Sequence, residues 1–569
     1  MFRSPSRLHA PPVRGPQPCA AARPGPPQSP SYIGQQPGPS NGGLTPQLPE
    51  ESPPQWRVSD EAVRAAFSSV RAPEARRTEA EVHGEVPRWL SGSYLRNGPG
   101  DFEGMRHLFD GYAMVFKVEF DRGRCFCTHR FIETEAWKSK RDTGRMRWRE
   151  FGTAIPADSP LEKAAEYLTT ILGSLGLTQG VTDNASVNVV PWGDGTALAM
   201  TETVAGTYTL DSASLDTTSK VTYDDALLGQ LTTAHPQPDG SGGMINVASD
   251  PVMGFTLYRI PLGGNSREVI AHIPHRRALS PCWVHSIAVS ENWAVVPEYP
   301  AFFNLLGLMT DRHVKQGAYF VEWRPALRTL YHAVHLQSGE VKTFRAPAAF
   351  AFHFVNAHES PDGNTLYVDV AEFEDLEVVD RLSIAGPSLD TSRGIPPARL
   401  LRVELPLNGP PTSDDDIIDI HAGRNLVPEP EESLGAFFEF PAINPAWRRR
   451  RQRYVYGVCA VQPTRFGNAL ARVDCSSGGV VVWHEEGAIP GEPCFVARPG
   501  ATEEDDGVVL SVLTEADGGA AVLVLDARTM QEVARCRLPH QIPYGFHGGW
   551  FGAGGGDGDA GTNGSKPGS

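Results

Sequence analysis

"GVVLSVLTEADGGAAVLVLDA", residues 507–527, is a pair of short apolar runs, 507–513 and 520–527, divided by a polar, glycine-bearing turn. Runs of this length, rich in Val and Leu and bounded by turn residues, read as β-strands. The pattern recurs in "YAMVFKVEF" (112–120), "NTLYVDVAEF" (364–373) and "RYVYGVCAV" (453–461). Convincing long amphipathic helices are few. Many short strands at fairly regular spacing imply a sandwich, a barrel or a propeller. The pattern fills about 500 residues between Gln55 and Phe551, too many for one sandwich and suited to a propeller of six to eight blades. No WD or kelch signature accompanies it.

The bulk composition bounds the rest. Of 569 residues, 40% are hydrophobic and 21% charged, which fits a soluble globular protein with an ample core. A net charge of -16 argues against a nucleic-acid partner. The one basic cluster, "WRRRRQR" (447–453), reads as a solvated loop, with contact to an anionic membrane surface as the alternative. Eight scattered cysteines contain no CxxC pair, and Cys125 and Cys127 share one strand face, which reads as packing in a reducing compartment. No apolar run reaches the roughly 18 residues of a membrane span. Any lipid contact is then made from the surface.

Residues 1–49 hold four Arg, no Asp or Glu, and abundant Pro, Ser, Gly and Gln, so they cannot build a core. Residues 1–50 fit an organelle transit peptide and also a plain disordered tail. The folded region is expected over 55–551, and the Gly-rich stretch 552–569 reads as a flexible tail. Two segments interrupt the strand pattern. In 161–177, Leu161, Ala164, Ala165, Leu168, Ile171, Leu172 and Leu175 recur at helical spacing. The second, "PAFFNLLGLM" (300–309), is apolar but for Asn304 and is bounded by charged or polar segments. Each fits burial against the core, or a hydrophobic lip that dips into a membrane or admits a lipid.

Among 17 histidines, four stand in apolar, turn-adjacent surroundings: His235, His285, His353 and His547. His353 lies in "AFAFHFVNA", a run so apolar that an unpaired imidazole would be costly. His285 shares a period-two face with Ile287 and Val289, an apolar strand face. His547 sits between Gly545 and Gly548-Gly549, where the backbone turns sharply or approaches something closely. A buried imidazole needs a partner at each nitrogen, and a metal satisfies one of them. The spacings of 50, 68 and 194 residues match no local metal motif. A shared metal and four separately satisfied core histidines both fit. Ligands this scattered need a fold that brings distant strands to one axis, as the centre of a propeller does.

Six stretches occur in a recognisable order: "SYLRNGPG" (93–100), "HLFDGYAMVFKVEF" (107–120), "FHFVNAHE" (352–359), "FEFPAIN" (438–444), "GEPCFVARPGATEEDDGVVLSV" (491–512) and "PYGFHGGW" (543–550). Together they resemble the carotenoid cleavage oxygenase family from about Gly92 to Trp550. The resemblance implies an all-β, seven-bladed propeller with a few helices and apolar loops capping one face. It implies Fe(II) on the axis, held by His235, His285, His353 and His547. Glu202, Glu439 and Glu492 match the family glutamates that orient three of those histidines. The physics agrees, since an imidazole that binds through one nitrogen donates its other N–H, and a carboxylate fixes the tautomer. "EEDD" (503–506) reads instead as a charged turn without a ligand role.

The implied activity is oxidative cleavage of one double bond of a carotenoid or apocarotenoid by O2, giving two carbonyl products without any other cofactor. "WVHSIAVSENWAVVPE" and "PGATEEDDGVVLSV" look closest to the plastid branch that produces carlactone, whereas "FEFPAIN" is typical of the whole family. Phe354 and His358 depart from residues usual there. The implied location is the chloroplast, in the stroma or at a membrane surface, with the cytoplasm as the alternative. Segments 161–177 and 300–309 are the expected membrane contacts. Two other functions remain open: a retinoid-type isomerohydrolase on the same iron site, and a non-catalytic propeller that binds pigment.

Overall fold

Strand Tyr112–Asp121 is buried at eight of its ten positions, and Gly507–Thr514 at all eight. Such strands carry apolar side chains on both faces because each sheet is packed between two others. That is why the sequence shows short continuous apolar runs rather than clean alternation. The computed structural model describes residues 56–552, apart from 157–158, 175–181, 194, 230, 278, 305–320, 384–393, 411–415 and 428–432. Seven sheets of four to six strands form the blades of a β-propeller.

Blade 1 contains Gly92–Asp101, Tyr112–Asp121 and Arg124–Phe131, with Glu74–Glu79 outermost and His547–Gly552 innermost. Blade 2 runs from Asn188–Pro191 out to Thr217–Lys220, and blade 3 from Leu231–Thr232 out to Glu268–Ile273. Blade 4 begins at Ala288–Val289, blade 5 at Phe354–Glu359 and blade 6 at Phe438–Ala442. Blade 7 is built on Gly507–Thr514, Ala520–Asp526 and Glu532–Arg537, with the early strand Glu81–Gly84 on its outer edge. The two ends of the chain therefore interlock: the last strand completes blade 1 and an early strand completes blade 7. Every inner strand lies beside the axis, and the functional side chains sit there.

Several local expectations need correction. The segment before Ala288–Val289 is irregular, so His285 precedes a strand and does not ride on its apolar face. Helix Pro160–Ser174 forms, and Leu161, Ala164, Ala165 and Leu168 are exposed, so that part of its apolar stripe does not pack on the core, while Leu172 is half-buried. In the second apolar segment, Ala301–Phe303 pairs with Val321–Trp323 and buries Ala301 and Phe302; residues 305–309 lie outside the described part. The stretch 503–506 is a charged turn, as the sequence predicts, and two of its carboxylates are buried. Glu504 is buried and accepts the backbone N–H groups of Arg453 and Tyr454, while Asp505 is buried against Arg472 and Arg528. The basic loop is solvated as expected at Arg448, Arg450, Arg451 and Arg453, while Arg449 donates to the carbonyls of Ser290 and Glu291 and Gln452 is buried. The readings of residues 1–50 and of the tail beyond Gly552 concern residues outside the described part.

The loop His107–Asp110 aims an aromatic ring at the axis. Buried His107 donates from Nε2 to the Val379 carbonyl (2.9 Å), and its Nδ1 accepts the Phe109 N–H (3.2 Å). Burial pushes its pKa down to about 4, so it stays neutral. Buried Asp110 accepts from Gly152 N (2.9 Å) and from the Thr153 hydroxyl, yet desolvation pushes its pKa up to about 7 from 3.8. An acid raised in the folded state contributes fully below pH 3.8 and loses that contribution as the pH climbs through about 7. Relative to the parent, Asp110→Asn is expected to gain roughly 4 kcal/mol between about pH 4 and pH 8. Urea midpoints measured at both pH values test this; an equal difference at the two would refute it.

Candidate metal centre

Four blades each bring one histidine to the axis. His547 opens the inner strand of blade 1, His235 follows that of blade 3, and His285 and His353 precede those of blades 4 and 5. One nitrogen from each lies within 4.8 Å of the others. Nε2 of His285 is 3.1 Å from that of His235 and 3.2 Å from that of His353, and the His353 and His547 Nε2 atoms are 3.3 Å apart.

The other three blades supply the glutamates. His285 Nδ1 donates to Glu202, which follows a strand of blade 2. His353 Nδ1 donates to Glu439 of blade 6 at 2.5 Å, and His547 Nδ1 to Glu492 of blade 7 at 2.8 Å. Each of the seven blades thus contributes one residue, four histidines and three glutamates. Among the described residues no carboxylate reaches His235.

With the Nδ1 proton held by a carboxylate, the Nε2 lone pairs of His285, His353 and His547 face one another. Without a cation that arrangement is repulsive. Burial and the neighbouring imidazoles hold His235 and His547 well below the ordinary histidine pKa, so these two rings stay neutral. Nitrogens about 2.0–2.1 Å from one ion stand roughly 3.0–3.4 Å apart, the spacing seen here. Three carboxylates against the single guanidinium of Arg96 also leave a formal double negative charge for a dication to balance. The donor set fits a divalent metal.

The three glutamates differ in their second partners. Glu202 accepts Trp283 Nε1–H at 2.8 Å. Glu439 accepts the Phe440 N–H at 2.7 Å, and its Oε1 is buried without a partner. Glu492 is paired with buried Arg96, which also donates to the Phe546 carbonyl. Desolvation raises the Glu492 pKa, and Arg96 opposes that rise. The sequence gives Arg96 and Trp283 no role, since Arg96 stands in "SYLRNGPG" beside other polar residues and both partners are distant in the chain.

Aromatic rings wall the centre. The Phe440 ring centroid lies 5.4 Å from those of both His353 and His547, and Phe352 stands edge-on to His285 at 5.1 Å. Phe109 meets Phe352 and Phe546 edge-on. Phe440 holds φ at 51°, a left-handed conformation that costs on the order of 1–3 kcal/mol outside glycine. Phe354 opens the inner strand of blade 5 directly after His353, and His358 of the same strand stacks on Tyr367.

A profile of the family described as "RPE65: Retinal pigment epithelial membrane protein" matches residues 67–552. The chain is 36% identical over 496 residues to "Carotenoid cleavage dioxygenase 8, chloroplastic" of Arabidopsis thaliana, covering 83% of each chain. It is 30% identical over 503 residues to the "Carotenoid isomerooxygenase" of Galleria mellonella, covering 83% of this chain and 93% of that one. The crystal structure of cobalt-substituted Synechocystis ACO superposes with a TM-score of 0.72 at 25% identity, covering 88% of this chain and all of that one. A profile match across nearly all the described residues, on a propeller whose axis gathers four histidines, assigns this chain to the RPE65/carotenoid oxygenase family.

Proposed function

We propose that this protein is an iron(II)-dependent dioxygenase that cleaves one double bond of a carotenoid or apocarotenoid into two carbonyl products. The convergence of four imidazole nitrogens, three of them fixed in tautomer by carboxylates, carries this reading. His235, His285, His353 and His547 are the proposed ligands, and Glu202, Glu439 and Glu492 their orienting partners. Four neutral ligands leave open coordination positions, and the bound iron supplies activation of O2. The carboxylates hold protons on Nδ1, and Phe109, Phe352 and Phe440 keep water from the polyene. The alkene bond breaks, and each O2 atom ends in one carbonyl, so no external reductant is consumed.

The names of the plant relatives support a plastid carotenoid cleavage reaction, with carlactone-type rearrangement of the product as its finer form. The test is incubation of iron-loaded protein with 10'-apo-β-carotenal and β-carotene under oxygen-18 gas. The expected result is shortened carbonyl products carrying the label, whose masses locate the cleaved bond. The family also supports a second reading, a retinoid-type isomerohydrolase. It predicts intact polyenes and no label from O2. An iron-free, folded protein without oxygen uptake would leave only a pigment-binding scaffold.

We assign residues 1–50 to plastid targeting and 55–551 to the catalytic propeller, on composition and on the chloroplastic relatives. Exposed Leu161 and Leu168 support peripheral membrane contact through helix Pro160–Ser174. Fractionation of expressing plant cells is expected to find the full chain with plastid membranes. The double variant Leu161→Asp/Leu168→Asp moves to the stroma, and the chain lacking 1–50 stays in the cytosol. An unchanged distribution of either variant would remove the matching assignment.

A further inference from the structure

Three of the four histidines share a feature outside their ring contacts. The carbonyl immediately before each accepts a hydrogen bond from a buried side chain. Arg96 donates to Phe546 O, ahead of His547. Asn188 Nδ2 donates to Ala234 O at 2.7 Å, ahead of His235. Ser286 Oγ donates to Phe352 O at 2.5 Å, ahead of His353, and accepts from Phe354 N at 3.4 Å, so it grips His353 from both sides. Exposures are 0% for Arg96, 7% for Asn188 and 5% for Ser286.

We infer that Arg96, Asn188 and Ser286 form a collar of positioning residues that fixes the placement of three of the four metal-facing imidazoles, those of His547, His235 and His353. The inference rests on the proposed metal site. At the axis the ladders are short: the inner strands of blades 3 and 4, Leu231–Thr232 and Ala288–Val289, have two residues each. Ladder pairing lapses at His235, between Leu231–Thr232 and Gln237–Pro238, and ahead of His285, whereas His547 opens a strand paired through Asn97. The collar takes over there and works between blades. Asn188 of blade 2 holds the His235 arm of blade 3, and Ser286, next to His285, holds the His353 arm of blade 5. Asn97 extends the chain backwards: its side chain donates to Asn188 O at 2.9 Å and Ala185 O at 2.6 Å, while its own carbonyl accepts Phe546 N–H at 2.7 Å. One connected set of bonds thus runs from the His547 arm through Asn97 and Asn188 to the His235 arm.

Burying polar side chains is unfavourable unless they are bonded, and a staple that served the fold alone could engage any residue along the inner strands. All three instead meet the residue that sets a ligand's Cα. Metal sites need ligand placement within about 0.5 Å, so loosening one arm acts first on metal affinity.

The test uses cobalt(II) as probe on full-length Ser286→Ala and Asn188→Ala proteins, by competition titration, visible ligand-field spectrum and thermal melting without metal. The expected result is affinity lowered roughly 10–100-fold with an altered spectrum, the loss typical of outer partners of a metal site. Ser286→Thr, which keeps the hydroxyl, retains the parent affinity and spectrum. If both alanine variants melt lower yet bind cobalt as the parent does, with the same spectrum, the collar is only a structural staple and the inference falls. If the parent itself binds no cobalt that His353→Ala abolishes, the metal-site reading fails and takes the collar with it.

Discussion

His353→Ala protein is expected to emerge without metal and without product formation, a loss beyond the roughly 100-fold typical for outer partners of a metal site. His353 has two of the other rings close by: its Nε2 lies 3.2 Å from that of His285 and 3.3 Å from that of His547. Its removal leaves Glu439 with the Phe440 N–H as its one remaining partner. The fold is expected to survive, because the metal-free parent already forces lone pairs together and the substitution relieves that repulsion. Metal-free melting temperatures of variant and parent should therefore agree to within a few degrees. Adding metal should raise the parent alone, since a ligand stabilises only a state that binds it. Metal content by elemental analysis and melting with and without iron(II) read both parts. A variant that kept stoichiometric metal would remove His353 from the ligand set.

Glutamate partners give the graded comparison. Glu439 bonds His353 directly, so its loss should cost within the 10–100-fold band and leave residual metal.

The propeller was legible in the sequence because blades buried on both faces need continuous apolar runs, and each run quoted from the sequence holds a strand. Where the reading failed, distant partners decided. The apolar 300–303 hides in the core because Val321–Trp323 pairs with it, which hydropathy alone cannot foresee. Glu504 and Asp505 lie in the charged turn that the sequence predicts, but their burial against Arg472, Arg528 and the 453–454 backbone depends on residues from other strands. His285 kept the period of a strand, yet its residues lie ahead of the paired stretch. Arg96 was invisible for the same reason, its carboxylate partner being 396 residues away. The four histidines were chosen by local apolarity, but the glutamates came only through family resemblance. One residue per blade has no signature in a linear chain.

With His547 as a metal ligand, the resemblance implies that the glycines beside it let its strand sit close to the metal; the structure assigns Gly548 a different reason. In the register of blade 1, Asn97 faces His547, Arg96 faces Gly548 and Leu95 faces Gly549. A Cβ on Gly548 would stand 2.0 Å from the Leu95 carbonyl oxygen and 2.9 Å from Arg96 Cα. Both are backbone atoms of the paired strand and cannot swing aside. A Cβ on Gly549 would meet nothing within 4 Å. Gly548 therefore serves the close approach of the closing strand to Gly92–Asp101, and the metal is not what crowds it. Gly548→Ala is expected to destabilise the protein by roughly 3 kcal/mol, at the upper end for overpacking. It also displaces His547, so metal affinity and turnover should fall more than tenfold, the scale set by disturbing a ligand's support. Gly549→Ala, one residue along the same strand, should leave melting, metal content and turnover close to parent. Matching losses in the two variants would mean that glycine is needed here for backbone freedom alone, and no loss in either would mean that the inner strand can shift without disturbing the ligand it carries.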